Sequence, residues 1–154
     1  MDEKIYENCM QKALEAAQNA LLINEVPVGA VVAVGDKIIS CAYNTRESDK
    51  NALMHAEIKA IDEACRILGG WRLFMCDLYV TLEPCTMCAG AIINARIKRV
   101  IYGASDKKGG AFGGLYNTLD FPHNHIPQII GGYMESEAQN LLKNFFVNLR
   151  KKED

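Results

Sequence analysis

Residues 77–88 read Asp-Leu-Tyr-Val-Thr-Leu-Glu-Pro-Cys-Thr-Met-Cys, a strand pattern that runs into the start of a helix. After Asp77, the residues up to Leu82 are β-branched, aromatic or aliphatic, which favours a strand. Pro84 biases the residue before it toward extended geometry, so the strand should end there. From 86 to 95 the chain is apolar enough for a buried helix. Cys85 and Cys88 then lie in the first turn of that helix, and their spacing of three places them on one face.

A second helix is predicted shortly after residue 50. Apolar side chains recur there at helical spacing, and the set is Ile58, Ile61, Cys65 and Leu68, with Asn51 available as the N-cap. His55 and Glu57 therefore belong near the start of this helix. Two residues apart, they differ by about 200° on a regular helix, so the two side chains would approach a shared centre from opposite flanks.

The remaining sequence alternates strands with helices. The predicted elements are a helix from Asp2 to Ile23, a hairpin of strands Gly29–Val34 and Ile38–Ala42 around Gly35-Asp36, a strand Arg99–Tyr102 and a last helix Ser136–Lys152. This order predicts an α/β fold, a three-layer α/β/α sandwich with a mixed sheet. Sites in open sheets form outside the carboxyl ends of strands, which is where Pro84 and Cys85 fall.

One imidazole and two thiolates make up a candidate metal site. His55, Cys85 and Cys88 are ligand types that zinc binds, and three protein ligands leave the fourth tetrahedral position open to water. Such a water becomes hydroxide near neutral pH, and Glu57 is the nearest residue in sequence that could move its proton. A Cys-x-x-Cys pair also occurs in redox sites and zinc knuckles, but neither requires an upstream His-x-Glu. The pattern predicts catalytic zinc, with zinc hydroxide attacking an electrophilic carbon.

The order His-x-Glu followed by Pro-Cys-x-x-Cys resembles the signature of the zinc-dependent cytidine and nucleotide deaminase superfamily. Within it, the chain is similar to the bacterial tRNA-specific adenosine deaminases over almost its whole length. The matching segments are Val26-Pro27-Val28-Gly29-Ala30-Val31, Asn44, residues 79–85, residues 87–92 and Asn124-His125.

The resemblance implies a cytidine deaminase-like fold with a mixed five-stranded sheet, and one Zn²⁺ per subunit bound by His55, Cys85 and Cys88. It implies hydrolytic conversion of adenosine to inosine at the wobble position of a tRNA anticodon stem-loop, within a homodimer and without an organic cofactor. Glu57 would be the proton shuttle. The substrate-binding residues implied are Asn44 and the backbone N–H of Ala56 as readers of the base, with Val28, Asn124 and His125.

Length and composition indicate one domain spanning 1–154. At 154 residues and 49% hydrophobic content, the chain can bury a sizeable core but has no room for a second domain of ordinary size. Charged residues interrupt any apolar run in the first twenty positions, so neither a signal peptide nor a membrane span is expected. Six cysteines are too few for a disulfide scaffold, and a cytoplasmic location agrees with thiolate ligands.

A formal net charge of −2 excludes a broad basic surface, so any RNA-binding surface must be local. The basic clusters are Lys98-Arg99, Lys107-Lys108, Lys143 and Arg150–Lys152. The longest irregular stretch, 105–127, is expected to carry substrate contacts, because loops of that length are usually functional. The apolar helix around 87–93 has more than one apolar face, which indicates a surface covered by a second subunit.

Two other functions remain open at this point. The same metal chemistry could act on a free base or nucleoside such as guanine or cytidine. Alternatively, the chain could be a non-catalytic RNA-binding module that zinc stabilises. Turnover without RNA would indicate the first of these, and zinc binding without ammonia release from any substrate would indicate the second.

Overall fold

Four helices and five strands make up the protein, in a computed structural model that describes residues 3–153. In chain order they are α1 Glu3–Leu22, β1 Gly29–Val34, β2 Lys37–Tyr43, α2 Ala56–Leu68, β3 Asp77–Leu82, α3 Thr86–Asn94, β4 Arg99–Ala104, β5 Gln128–Ile130 and α4 Glu135–Glu153. A short 3-10 helix, Thr118–Asp120, interrupts the long connection between β4 and β5.

The five strands form one mixed sheet in the order β2-β1-β3-β4-β5. Strand β1 is antiparallel to both β2 and β3, whereas β3, β4 and β5 run parallel to one another. Two separate cores cover the two faces. Successive residues of β1 point to opposite faces, so Val31 joins Met10 and Tyr79 beneath α1 and α4, while Val32 joins Ala60 beneath α2 and α3. The predicted three-layer sandwich and its mixed five-stranded sheet are confirmed.

Helix α1 lies close against β1, and the sequence explains why. Its buried positions are mainly small residues, among them Ala13 and Ala17. A Cβ atom at Gly29 would collide with the backbone carbonyl oxygen of Ala13, so only glycine permits this separation between helix and strand. The helix predicted from Asp2 agrees with α1 over the described residues, and Asp2 itself lies outside them.

The start and the inward face of α2 differ from the prediction. Asn51 is not the N-cap: its Oδ1 accepts a hydrogen bond from the N–H of Leu53 in the preceding loop, and His55 occupies the cap position. Leu68, predicted on the apolar face, is 47% exposed. Small side chains bring this helix close to the sheet instead, and its buried residues are Ala56, Glu57, Ala60, Ile61 and Ala64.

All six cysteines are free, as the composition predicts. Cys9 and Cys76 are buried, whereas Cys41 and Cys65 are only half-buried. Among the described residues, no helix has both the length and the apolarity that crossing a membrane requires.

Candidate active site

Three side chains converge at the carboxyl end of β3. His55 Nδ1 lies 3.6 Å from the Sγ atom of Cys85 and 3.6 Å from that of Cys88. The three potential ligand atoms all lie within 4.8 Å of one another, which allows them to hold one metal ion. Two thiolates with an imidazole are soft donors that fit zinc and do not suit magnesium or calcium. The residues present therefore fit the predicted zinc ion.

Two helix N-termini meet at this cluster. His55 is the N-cap of α2 and Cys85 is the N-cap of α3, both with extended backbone dihedral angles. Because His55 precedes α2, its side chain is not on the helical face that its spacing from Glu57 would dictate. His55 and Glu57 therefore need not approach the centre from the opposite flanks that regular helix geometry predicts. The positive ends of both helix dipoles point toward the cluster, where they favour thiolate and other negative charge.

Hydrogen bonding between the two cysteines separates their pKa values. The pKa of Cys85 is lowered to about 4, chiefly because the Cys88 thiol donates to it, with His55 adding to the effect. The pKa of Cys88 is raised, because it donates that hydrogen bond and because it is buried. The pKa of His55 is raised mainly by its hydrogen bond with Cys85. Cys85 is therefore the more easily deprotonated of the two thiols.

Glu57 is a buried carboxyl group at the same centre. It is 4% exposed, and burial raises its pKa from 4.5 to about 7. A carboxyl group with a pKa near neutrality can both accept and donate a proton at working pH. Structural ion networks also perturb pKa values, but a perturbed carboxyl beside a metal-ligand cluster and a pocket marks a functional site.

A cavity of about 160 Å³ opens onto this centre. Its walls come from the turn before β1, the loop after β2, the start of α2 and the end of β3. The lining residues are Val26, Val28, Asn44, Arg46, His55, Ala56, Glu57, Leu82, Glu83, Cys85 and Asp106.

Three of the predicted substrate-binding residues line the cavity. Two backbone groups hold the Asn44 side chain: Nδ2 donates to the carbonyl oxygen of Val26, and Oδ1 accepts from the N–H of Arg46. One amide hydrogen and one lone pair of Asn44 remain after these two bonds. Ala56 is the first residue of α2, so its N–H has no partner within the helix. Val28 adds an apolar wall.

The other two, Asn124 and His125, do not reach this cavity within the chain. His125 Nε2 lies 2.7 Å from the carbonyl oxygen of Ile97, which precedes β4. Both residues lie just before β5 and therefore at the amino end of the parallel strands, whereas the metal ligands lie at the carboxyl end. Because β4 and β5 are parallel, the connection between them runs from the carboxyl end of the sheet back to the amino end, where it places these two residues.

The sequence prediction missed three residues at or beside the cavity. Glu25 is 1% exposed and accepts hydrogen bonds from the N–H groups of Glu47 and Ser48, which fixes the loop that carries Asn44. Burial alone would raise the pKa of Glu25, but those hydrogen bonds lower it below its ordinary value. Arg46 places a positive charge at the mouth of the cavity. Glu83 is a buried carboxylate in the cavity wall.

Comparison with known proteins gives consistent results. The model of the MafB19-like deaminase family matches residues 5–150. The chain is 46% identical over 144 residues to the tRNA-specific adenosine deaminase of Bacillus subtilis (strain 168), covering 93% of this chain and 89% of that protein. It is 47% identical over 147 residues to the enzyme of the same name from Rickettsia bellii (strain RML369-C), covering 92% and 99%.

A solved structure gives the same result at the level of the fold. It comes from work on A-to-I editing by tRNA:A34 deaminases at the wobble position of transfer RNA. The two structures superpose with a TM-score of 0.83 at 42% sequence identity, over 88% of this chain and 99% of that one. At that coverage most of the chain shares the fold of that structure.

Proposed function

The chain belongs to the MafB19-like deaminases and, among them, to the bacterial tRNA-specific adenosine deaminases, and from this premise we propose that it converts adenosine to inosine at the wobble position of a tRNA. The observation that carries the proposal is the position of buried Glu57 beside a His-Cys-Cys cluster, two members of which, His55 and Cys85, line the same cavity as Glu57. That arrangement supplies a metal site with an open position and a group able to transfer protons.

Each group of this chain has a separate role in the proposed reaction. His55, Cys85 and Cys88 would hold one zinc ion. When bound, zinc would lower the pKa of a water molecule, so that the water loses a proton easily and can attack the ring carbon that carries the exocyclic amine. Glu57 takes the proton of the attacking water and passes it to the adjacent ring nitrogen. Glu57 then takes the remaining proton of the added hydroxyl group and passes it to the amine, so that the carbonyl forms, the C–N bond breaks and ammonia leaves. Asn44 and the N–H of Ala56 would hold the base edge.

The position of the cluster also explains why a loop nucleotide suits this enzyme. A base stacked in a helix cannot reach a buried metal site, so it must be flipped out of the stack. Flipping costs a few kcal/mol, and less for an unpaired base. An anticodon loop therefore offers the nucleotide at low cost.

Basic residues beside the cavity support an RNA substrate. A groove continues from the cavity and shares Val26, Leu82 and Asp106 with it. Its other lining residues are Ser105, Lys107, Lys108, Leu142, Phe146, Leu149 and Arg150. Three cations in this groove could neutralise phosphates, and the half-exposed ring of Phe146 could stack on a base.

We also propose a single catalytic domain over 1–154, a homodimer and a cytoplasmic location. The family model spans most of the chain, which supports one domain. Large apolar side chains are exposed near the ends of α2 and α3, which supports a second subunit; they are Ile67, Leu68, Trp71, Phe74 and Met75. In a dimer, Asn124 and His125 would contact RNA bound at the partner's active site or at the outer part of the RNA-binding surface. They would not contact the reacting base in the cavity of their own chain.

The substrate is tested by inosine formation on a transcribed anticodon stem-loop with adenosine at the wobble position. We expect conversion of the stem-loop, and no conversion of free adenosine, cytidine or guanine under the same zinc-replete conditions. The reason is that the groove contributes phosphate contacts only to RNA. Turnover of a free base with an untouched stem-loop would contradict the proposed substrate. Zinc binding without ammonia release from any substrate would contradict catalysis itself.

Replacing Asn44 by aspartate tests the proposed reading of the base. Aspartate keeps the acceptor for the Arg46 N–H, but it turns a second oxygen toward the carbonyl oxygen of Val26 and offers the base no donor. We expect kcat/KM for the stem-loop to fall about 10- to 100-fold, the cost of an unpaired polar group in a site. Asn51→Asp, in the same loop but exposed, should change kcat/KM less than about twofold. Equal losses in both variants would contradict a role in reading the base.

A further inference from the structure

The carboxylate of Glu83 has no part in the mechanism above, yet it is among the most heavily hydrogen-bonded groups in the described chain. It is 2% exposed. Oε1 accepts from Ser105 Oγ at 3.0 Å and from the N–H of Asp106 at 3.0 Å. Oε2 accepts from the N–H of Phe112 at 3.0 Å and from the N–H of Gly114 at 2.9 Å. All four donors belong to one segment, residues 105–114.

The backbone around Glu83 joins that segment to the metal ligands. The N–H of Glu83 donates to the carbonyl oxygen of Ala104, and the N–H of Ala111 donates to that of Pro84. Pro84 is followed directly by Cys85. Glu83 and Pro84, which directly precede the metal ligand Cys85, therefore anchor the 105–114 segment at its start and in its middle.

Two glycines show how closely the segment wraps this side chain. A Cβ atom at Gly110 would collide with the carboxyl carbon of Glu83 and with the carbonyl oxygen of Asp106. A Cβ atom at Gly114 would collide with Oε1 of Glu83 and with the same carbonyl oxygen. Gly110 and Gly114 are thus required by the close approach of the Glu83 carboxylate and the Asp106 carbonyl oxygen.

Asp106 extends the network to the substrate surface. Its N–H donates to Glu83, while its own Oδ1 accepts from the N–H groups of Lys108 and Gly109. Asp106 lines both the cavity and the adjoining groove. Lys107 and Lys108 are exposed in that groove. Hydrogen bonds thus connect the Glu83 carboxylate, through Asp106, to a wall of the cavity and to the loop that carries two cations.

We propose that Glu83 is a positioning residue for the RNA substrate: its carboxylate holds segment 105–114 so that Asp106 closes the cavity wall and the two lysines face the phosphate backbone. This inference rests on the proposed function for its substrate. A carboxylate accepts at both oxygens and donates at neither, which four converging donors require. Glutamine has one such oxygen and would turn its NH₂ group toward two of the four donors.

Glu83→Gln tests this proposal, with Asp77→Asn as the matched control. Asp77 is also a buried carboxylate, but it begins β3, whereas Glu83 follows the last residue of that strand, and Arg99 donates to its two oxygens at 2.8 and 2.9 Å. Both variants remove a buried negative charge, one from each end of β3. Asp77→Asn should lower thermal stability and leave KM for the stem-loop unchanged, because that end of the strand is remote from the groove.

For Glu83→Gln we expect KM for the stem-loop to rise about tenfold, with kcat changed less than about threefold and zinc retained at one ion per chain. Backbone amide exchange should accelerate at least about tenfold at Asp106, or at Phe112 and Gly114 together, according to which pair of donors faces the new NH₂ group, because that pair loses its acceptor. Asp77→Asn should leave exchange at these three amides unchanged relative to the rest of the sheet.

Several results would overturn the proposal. They are unchanged exchange in the segment, an equal rise of KM in Asp77→Asn, or a loss of zinc and kcat with KM unchanged, which would assign Glu83 to the metal centre. If Glu83→Gln does not fold, Gly110→Ala replaces it. That variant keeps the carboxylate but places a methyl group against it, so the same rise in KM is expected, and an unchanged KM overturns the proposal.

The design separates this inference from the proposed function. A wild-type protein that leaves the stem-loop unconverted contradicts the substrate, whatever the variants do. Normal wild-type conversion with an unchanged KM in Glu83→Gln contradicts only the positioning role. The exchange measurement needs no substrate and decides by itself whether the carboxylate holds the segment.

Discussion

Replacing Glu57 by glutamine should lower kcat for the stem-loop by about 10²- to 10⁴-fold, the usual contribution of a positioned proton-transfer group. Glutamine has the same shape, so it keeps the packing at a position that is 4% exposed. It cannot take the proton of the attacking water or return one to the amine. His55, Cys85 and Cys88 are unchanged, so zinc should remain at one ion per chain.

The measurement is single-turnover inosine formation, together with metal analysis of the same protein sample. Glu63→Gln is the matched control, because Glu63 lies on the same helix but is exposed to solvent, and it should retain full activity. Full-rate deamination by Glu57→Gln would show that another group moves the proton. Loss of zinc together with activity would show that Glu57 supports the metal centre and would leave the proposed proton transfer without support.

The layers and most strands could be predicted because their signals are local. The run from Leu78 to Leu82 is mostly β-branched, aromatic or aliphatic, and a proline follows two residues later, so the body and the end of β3 are marked in the sequence. The bounds predicted for β1 agree with the structure for the same reason, since Gly35 marks the turn. The alternation of strands and helices then restricts the fold to a sandwich.

Features that depend on contacts distant in sequence could not be predicted. The role of Glu83 in the cavity wall arises from donors 22 to 31 positions later, and no spacing pattern encodes such contacts. The N-cap of α2 was predicted at Asn51 because its residue type favours caps. The intervening loop uses that side chain for its own turn, so the helix begins four residues later than a cap there would give.

The metal-ligand cluster has some features that the sequence predicts and others that only the structure shows. Residue types and the Cys-x-x-Cys spacing predict which side chains meet, and the structure brings the three of them together. The sequence could not show that His55 stands outside its helix, and that placement is what lets imidazole and carboxyl share one centre. Asn124 and His125 lie at the amino end of the parallel strands, opposite the metal ligands, because β5 runs parallel to β4. The order of elements along the chain does not encode that strand direction.

Replacing Cys88 by serine should abolish zinc binding and, with it, deamination. Cys88 is fully buried, its Sγ lies 3.6 Å from His55 Nδ1, and it is one of the three ligand-bearing side chains that the cluster brings together. A hydroxyl is a far poorer zinc ligand than a thiolate, and two remaining ligands hold the ion weakly. We expect zinc to fall below about one tenth of an ion per chain after dialysis, and activity to fall at least about 10³-fold.

Loss of the ion should also remove stability, because a ligand that binds only the folded state stabilises it by mass action. The melting temperature of the wild-type protein should therefore rise with added zinc, whereas that of Cys88→Ser should not respond. Cys76→Ala is the matched control: Cys76 is equally buried but lies outside the cluster, so this variant loses about 1 kcal/mol of stability and keeps zinc and activity. Chelator treatment should inactivate the wild type reversibly, and added zinc should restore it but not Cys88→Ser. A Cys88→Ser protein that retains one zinc ion and normal turnover would contradict the ligand set, because the reaction would then depend on an ion held elsewhere.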